Sequence, residues 1–120
     1  MLALTSAASA SVDWSKSANV YWLGHDLMWT IDVLLREAPT NVILQGLTQS
    51  LHHLRKIGLG NTAWEHKLDK LCKSAQGTIE SDWNSKLRIQ YATDLRNILN
   101  EVGEIANAHQ ADFDPGPYFR

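Results

Sequence analysis

Apolar residues recur three and four positions apart along most of the chain. Because an α-helix turns by about 100° per residue, this spacing gathers the apolar side chains of a segment into one stripe. Four segments carry such a stripe, at about 17–37, 41–57, 62–79 and 81–108. No stretch alternates apolar and polar residues over enough positions to predict a strand. The pattern therefore predicts an all-α protein.

The segments are separated by residues that end or start helices. Pro39 ends the first segment, because the residue before a proline is disfavoured in a helix. Thr40 is the predicted N-cap of the second helix, and Gly58 is its predicted left-handed stop. Thr62 and Glu65 stand three apart, as a capping box requires at the start of the third helix. Gly77 offers an alternative end for the third helix, two residues before the last apolar residue of its stripe, Ile79.

The connections between the segments are only about three to five residues long, which favours antiparallel packing of consecutive helices. A chain of 120 residues also fits a single domain with one core. We therefore predict an antiparallel up-down-up-down four-helix bundle over residues 17–109. Residues 1–16 form an irregular N-terminal arm in this prediction, and residues 110–120, which contain two prolines, form an irregular C-terminal tail.

Charge and cysteine content narrow the classes of function. The formal net charge is -2 and no basic block is present, so we expect no nucleic-acid partner. No apolar run approaches the ~20 residues that span a bilayer, so we expect no membrane insertion. The single cysteine, Cys72, cannot form an internal disulfide, which is consistent with a cytoplasmic location.

Four polar residues are candidates for a metal or ligand site: His25, Asp26, Asp32 and His53. Histidines and carboxylates that face inward from adjacent helices bind metals in several helical bundles. However, the spacing of these residues matches neither the paired Glu-x-x-His units of di-iron bundles nor the His-Glu-x-x-His motif of zinc peptidases. We therefore expect no cofactor and no catalytic residue, and a small metal-dependent enzyme or ligand-binding protein is the alternative interpretation.

The first helix has an unusual second face. Its front carries the Leu, Ile and Met stripe that a bundle needs, whereas Trp22, Trp29 and Val33 project from its back. Arg36 lies beside them. Large exposed apolar patches mark binding surfaces, and Trp with Arg is the composition of interaction hot spots. We therefore expect this face to be covered, by the chain's own arms, by another protein or by a ligand.

The two arms carry aromatic residues that could provide this cover. Val12 and Trp14 lie in the N-terminal arm, and Phe113, Tyr118 and Phe119 lie in the C-terminal tail. Such tails dock either on their own domain or on a partner. A tail that reaches the tryptophan face of a second copy would produce a dimer.

These observations together predict a non-catalytic protein–protein interaction module. We expect a small cytoplasmic adaptor or regulatory protein whose partner is a second copy of the chain or another protein. The predicted interaction surface comprises Trp22, Trp29, Val33, Arg36, Phe113, Tyr118 and Phe119.

Overall fold

The computed structural model of the protein describes Trp14, residues 17–109, with only the main chain for 17–19, and Phe113. All regular structure in this part of the chain is helical, as the sequence predicts. The predictions for Val12, Tyr118 and Phe119 lie outside the described residues. The four α-helices are α1 (Ser17–Leu35), α2 (Thr40–Lys56), α3 (Ala63–Gln76) and α4 (Ser85–Ala108).

The helices form the predicted four-helix bundle. Helix α1 packs along α2 on one side and along α4 on the other, and α3 packs against α2. The packing between α3 and α4 is much less extensive. Helix α1 is therefore the central element of the bundle, which explains why its sequence is apolar around more than one face.

The apolar stripes meet in one continuous core. Each large aliphatic side chain that is fully buried contributes roughly 1.5–3 kcal/mol relative to an exposed position. The largest fully buried side chains come from all four helices and from the loop after α2: Leu23, Leu27, Ile31, Leu34, Ile43, Leu47, Leu54, Ile57, Leu59, Leu68, Leu95 and Leu99.

Two of the predicted helix boundaries are confirmed. Gly58 has a φ of 95°, the left-handed conformation that stops a helix. The hydroxyl of Thr62 accepts a hydrogen bond from the main-chain N–H of Glu65, at 3.3 Å, and so caps α3. The carboxylate of Glu65 binds Arg55 on α2 at 2.7 Å. This pair ties the start of α3 to the end of α2.

The start of α2 differs from the prediction. Pro39 occupies the N-cap position, and Thr40 is the first residue of the helix. The hydroxyl of Thr40 accepts a hydrogen bond from the indole Nε1 of Trp83 at 2.7 Å, and its main-chain N–H donates to Glu80 at 3.0 Å. The loop after α3 therefore caps α2 from a distant part of the chain.

The same contacts delay the start of α4. Residues Glu80–Asp82 form a short 3-10 turn, and α4 begins at Ser85 with Asn84 as its N-cap. Trp83 is buried with an extended backbone, which is incompatible with a helix that runs on from residue 81 or 82. Helix α3 ends before Gly77, so Ile79 leaves the predicted stripe and is 63% exposed.

Candidate functional site

The interface between α1 and α2 brings three of the four polar candidates together. Asp26 on α1 lies 2.7 Å from His53 on α2, measured from Oδ2 to Nδ1. His25, the neighbour of Asp26, lies 3.7 Å from the same carboxylate, measured from Nδ1 to Oδ1. The sequence indicates these residues only as candidates on two helices, and the fold joins them across the interface.

A glycine on α2 allows this close approach. A Cβ atom on Gly46 would lie 3.0 Å from the ring of Trp29 and would overlap the hydroxyl of Thr30. Thr30 is fully buried, and its hydroxyl donates to the main-chain carbonyl of Asp26 at 2.7 Å. Since Thr30 is buried and held by this hydrogen bond, only glycine at position 46 permits this spacing.

The hydrogen bonds of His53 leave the carboxylate incompletely satisfied. Nδ1 of His53 is 3.1 Å from the carbonyl oxygen of Gln49, with the geometry of a hydrogen bond. Both neighbours of Nδ1 are acceptors, so this nitrogen carries a hydrogen. Oδ2 of Asp26 forms a 2.7 Å ionic contact with the same nitrogen, yet it is buried without a hydrogen-bond partner among the described residues.

His25 adds a second unsatisfied atom at the same place. Its Nδ1 is buried without a hydrogen-bond partner in the described part of the chain, and 3.7 Å to Asp26 is too long for a hydrogen bond. Buried polar atoms normally have partners, and each that lacks one costs roughly 1–3 kcal/mol. Two such atoms, one of them an oxygen of the Asp26 carboxylate, lie together here and make this interface the candidate site.

These residues line a groove of about 570 Å³ between α1 and α2. Trp22, at its rim, is 46% exposed and packs edge-on against His25, with 4.9 Å between the ring centroids. Asp26 is the one carboxylate among the described lining residues, and none of these is lysine or arginine. The lining comprises Trp22, His25, Asp26, Trp29, Gln45, Gln49, His52 and His53.

The remaining predicted site residues on α1 lie outside this groove. Asp32 pairs with Arg36 one helical turn further on, with 3.1 Å between the guanidinium and the carboxylate. Val33 is half-buried. Within residues 17–109, no three His, Cys, Asp or Glu side chains converge in an arrangement suited to a metal ion. His25, Asp26 and His53 therefore form a polar cluster without metal-ligand geometry.

Helix α2 itself covers part of the tryptophan face. Trp29 is half-buried and lies over Gly46, so the back of α1 is in large part a helix–helix interface. The described arm residues pack elsewhere. The ring of Phe113 lies against Gly24 and Gly103, between α1 and α4, and Trp14 stacks on His109 at the end of α4. Trp22 is left as the exposed aromatic.

The sequence interpretation overlooked three residues of the groove: Gln45, Gln49 and His52. A helical projection places them on the polar side of α2, opposite its leucine stripe. The pair Gly46 and Ser50 is the sequence signal that could have identified them. Small residues four apart lie on the same face of a helix, and they allow another helix to pack closely against that face. Both are buried against α1.

A second cavity, of about 650 Å³, lies where α3 and α4 diverge. Four of its polar side chains are paired with one another. The indole of Trp64 donates to Glu101 at 2.8 Å, and Lys67 lies 3.5 Å from Asp94. This cavity is the larger one, but it contains none of the unsatisfied buried atoms. The α1–α2 groove is therefore the better candidate site.

Cys72 is not an activated nucleophile. Its side chain is buried on α3, and this burial raises the pKa of the thiol to about 11. A reactive cysteine requires a lowered pKa and access to solvent.

None of the helices described is both long and apolar enough to cross a membrane. Comparison of the chain with known protein families, with characterised proteins and with solved structures gave no match.

Proposed function

We propose that this protein is a small non-catalytic interaction module that binds a protein segment in the α1–α2 groove. Its partner is a second copy of the chain or another protein, and its location is cytoplasmic. The observation that carries the proposal is the combination of Trp22, which is 46% exposed at the rim, with an unsatisfied carboxylate at the floor. Tryptophan is one of the residues enriched at interaction hot spots.

The arrangement also supports binding rather than nucleophilic chemistry. The described lining residues include no serine, threonine or cysteine that could attack a substrate. Half of them are tryptophan or glutamine, which contribute contact area and hydrogen bonds, and three more are histidine. Such a lining fits an extended peptide or a helix edge that brings its own polar groups.

Selection of peptides from a random displayed library tests this proposal. The wild-type chain is the bait, and the variant Trp22→Ser is the counter-bait. We expect selected peptides to bind the wild type at least about tenfold more tightly than Trp22→Ser, because loss of a hot-spot tryptophan typically costs about 2 kcal/mol or more. Sedimentation equilibrium tests whether the partner is a second copy of the chain. If it is, the wild type should self-associate more strongly than Trp22→Ser.

Ile89→Ser provides the matched control. Ile89 is an exposed apolar residue, at 55%, on α4 and outside the groove. This variant should retain both peptide binding and any self-association. Equal behaviour of the wild type and Trp22→Ser in both measurements would contradict the proposal.

A ligand-binding or metal-dependent enzyme is the second candidate, favoured by the 2.7 Å contact between Asp26 and His53. A carboxylate beside Nδ1 orients an imidazole for proton transfer or for metal binding through Nε2. Elemental analysis of the purified protein tests the metal-dependent form. Stoichiometric metal in the wild type that is lost in a His25→Ala, His53→Ala double variant would favour this candidate.

A further inference from the structure

We infer that the α1–α2 groove takes up a cationic side chain, lysine or arginine, of a partner protein and pairs it with Asp26. This inference rests on the proposed function of the groove and specifies the chemistry of its ligand. Three observations support it: the described lining contains no lysine or arginine, the buried Oδ2 of Asp26 lacks a hydrogen-bond partner there, and two tryptophans line the same groove.

The described lining of the groove holds one carboxylate, Asp26, and no lysine or arginine. The groups nearest to this carboxylate are the imidazoles of His53 and His25, whose Nδ1 atoms lie 2.7 and 3.7 Å from it. The side chain of Asp26 is only 10% exposed, so water screens the charge poorly. A buried carboxylate is normally paired with a cation or held by several hydrogen bonds.

The hydrogen bonds of the described residues do not satisfy this carboxylate. Among these residues Oδ2 has no hydrogen-bond partner, and Oδ1 is 3.7 Å from the nearest nitrogen of His25. The Nδ1–H group of His53 is engaged by the carbonyl of Gln49. An ammonium or guanidinium group that enters from the groove supplies the donors that the carboxylate lacks.

The tryptophans suit the same ligand. Trp22 and Trp29 line the groove together with Asp26. An indole is the best aromatic partner for a cation, and its face also packs against the methylene stem of lysine or arginine. The groove therefore combines an anion at its floor with aromatic surface along the path to it, which is the composition that selects a long cationic side chain over an apolar one.

Nuclear magnetic resonance titrations of the full chain test this inference. The probes are the N-acetyl, N-methylamide derivatives of lysine, of arginine and of norleucine, which is an uncharged analogue of lysine. At constant ionic strength, we expect at least one cationic compound to bind about tenfold more tightly than the norleucine compound, since a hydrogen bond to a charged group contributes roughly that factor.

Three variants locate the binding. Asp26→Asn should weaken binding of the cationic compound about tenfold and leave norleucine binding unchanged. Trp22→Leu, a change at the exposed rim of the groove, should weaken binding of the cationic compound about threefold through loss of the cation–π contact. Glu104→Gln is the matched control, because Glu104 is an exposed carboxylate beside the other cavity, and its loss should have no effect.

The outcomes separate this inference from the proposed function. Equal binding of all three compounds, or no binding of any at about 50 mM, would overturn the inference. Retention of cation binding in Asp26→Asn would also overturn it. None of these results affects the dependence of peptide binding on Trp22. If Asp26→Asn is unfolded by circular dichroism, Trp22→Leu and the norleucine comparison still decide the question.

Discussion

The Nδ1 atom of His53 on α2 lies 2.7 Å from Oδ2 of Asp26 on α1, yet the carboxylate receives no hydrogen bond from it. The two helices therefore pack closely enough to bury the Asp26 carboxylate, but they do not supply all the hydrogen bonds that a buried carboxylate normally has. This relationship makes the α1–α2 interface the unusual part of an otherwise regular bundle, and it links the packing of the fold to the proposed binding site.

Asp26→Asn should not lower the stability of the free protein. The native carboxylate is buried and its Oδ2 has no hydrogen-bond partner among the described residues, so replacement by an uncharged amide relieves a desolvation cost. We expect the free energy of unfolding in urea to be unchanged or to rise by up to about 2 kcal/mol. Such a rise is typical of functional sites, where the native residues lower the stability of the free protein. A loss of more than about 2 kcal/mol would instead identify Asp26 and His53 as a stabilising ion pair.

Gly46→Ala should destabilise the bundle although alanine favours a helix. The new Cβ would overlap Thr30 and crowd the ring of Trp29, and overpacking of this kind typically costs about 1–3 kcal/mol. Gly60→Ala is the control, because a Cβ at that loop position meets no atom within 4 Å. Urea unfolding of both variants measures the difference. Equal stability of the two variants would show that α1 and α2 can separate freely at Gly46.

Sequence patterns predicted the helices and the bundle, but not the contact between Asp26 and His53. A helical projection places each residue on a face, whereas the contact depends on the distance and register between two helices, which Gly46 sets. The projection also could not show that α1 lies between two neighbours. For this reason Trp29 was predicted to lack cover from the bundle, whereas α2 covers part of it.

The start of α4 shows a similar limit. Ser81 and Asp82 are good helix starters, and local pattern favoured them. The hydrogen bond from Trp83 to Thr40 lies between residues 43 positions apart, so no local signal reveals it. The confirmed boundaries, at Gly58 and Thr62, depend on contacts within three residues or on the backbone conformation of a single residue.

Phe113 and Gly103 should be energetically coupled. A Cβ on Gly103 would lie 3.1 Å from the Phe113 ring, so Gly103→Ala is strained in the wild type. In a Phe113→Ala background the strain disappears, and the same change should stabilise α4 by up to about 1 kcal/mol. Thermal unfolding of the double-mutant cycle should give a coupling of about 1 kcal/mol. Additive effects of the two substitutions would show that the Phe113 ring does not pack against Gly103 in solution.

Glu80 should stabilise the start of α2 in a pH-dependent manner. The main-chain N–H of Thr40 holds the pKa of the Glu80 carboxyl below its ordinary value. The stabilisation is therefore present above the unfolded pKa of about 4.3, and it is lost as the pH falls through the folded pKa. Wild type and Glu80→Gln should differ in urea midpoint at about pH 6 and converge at about pH 2.5. A constant difference across this range would rule out the contribution of the charge.

Cys72 should react slowly in the folded protein. Since burial raises its thiol pKa to about 11, very little thiolate exists near pH 8, and the side chain is also shielded from reagents. We expect labelling by iodoacetamide to be at least about a hundredfold faster in urea than in the native state, where it depends on opening of the bundle. Rapid native labelling would reveal an exposed thiol and contradict the packing of α3.

The indole N–H signals of the described tryptophans provide the most direct test of the central claim. Trp22 and Trp29 report on the α1–α2 groove, Trp64 reports on the cavity between α3 and α4, and Trp83 reports on the contact with Thr40. During titration with a selected peptide, observed by nitrogen–proton correlation spectra, we predict shifts of the Trp22 and Trp29 signals while those of Trp64 and Trp83 stay in place. A shift of the Trp64 signal with no change at Trp22 and Trp29 would contradict the assignment of the groove as the binding surface.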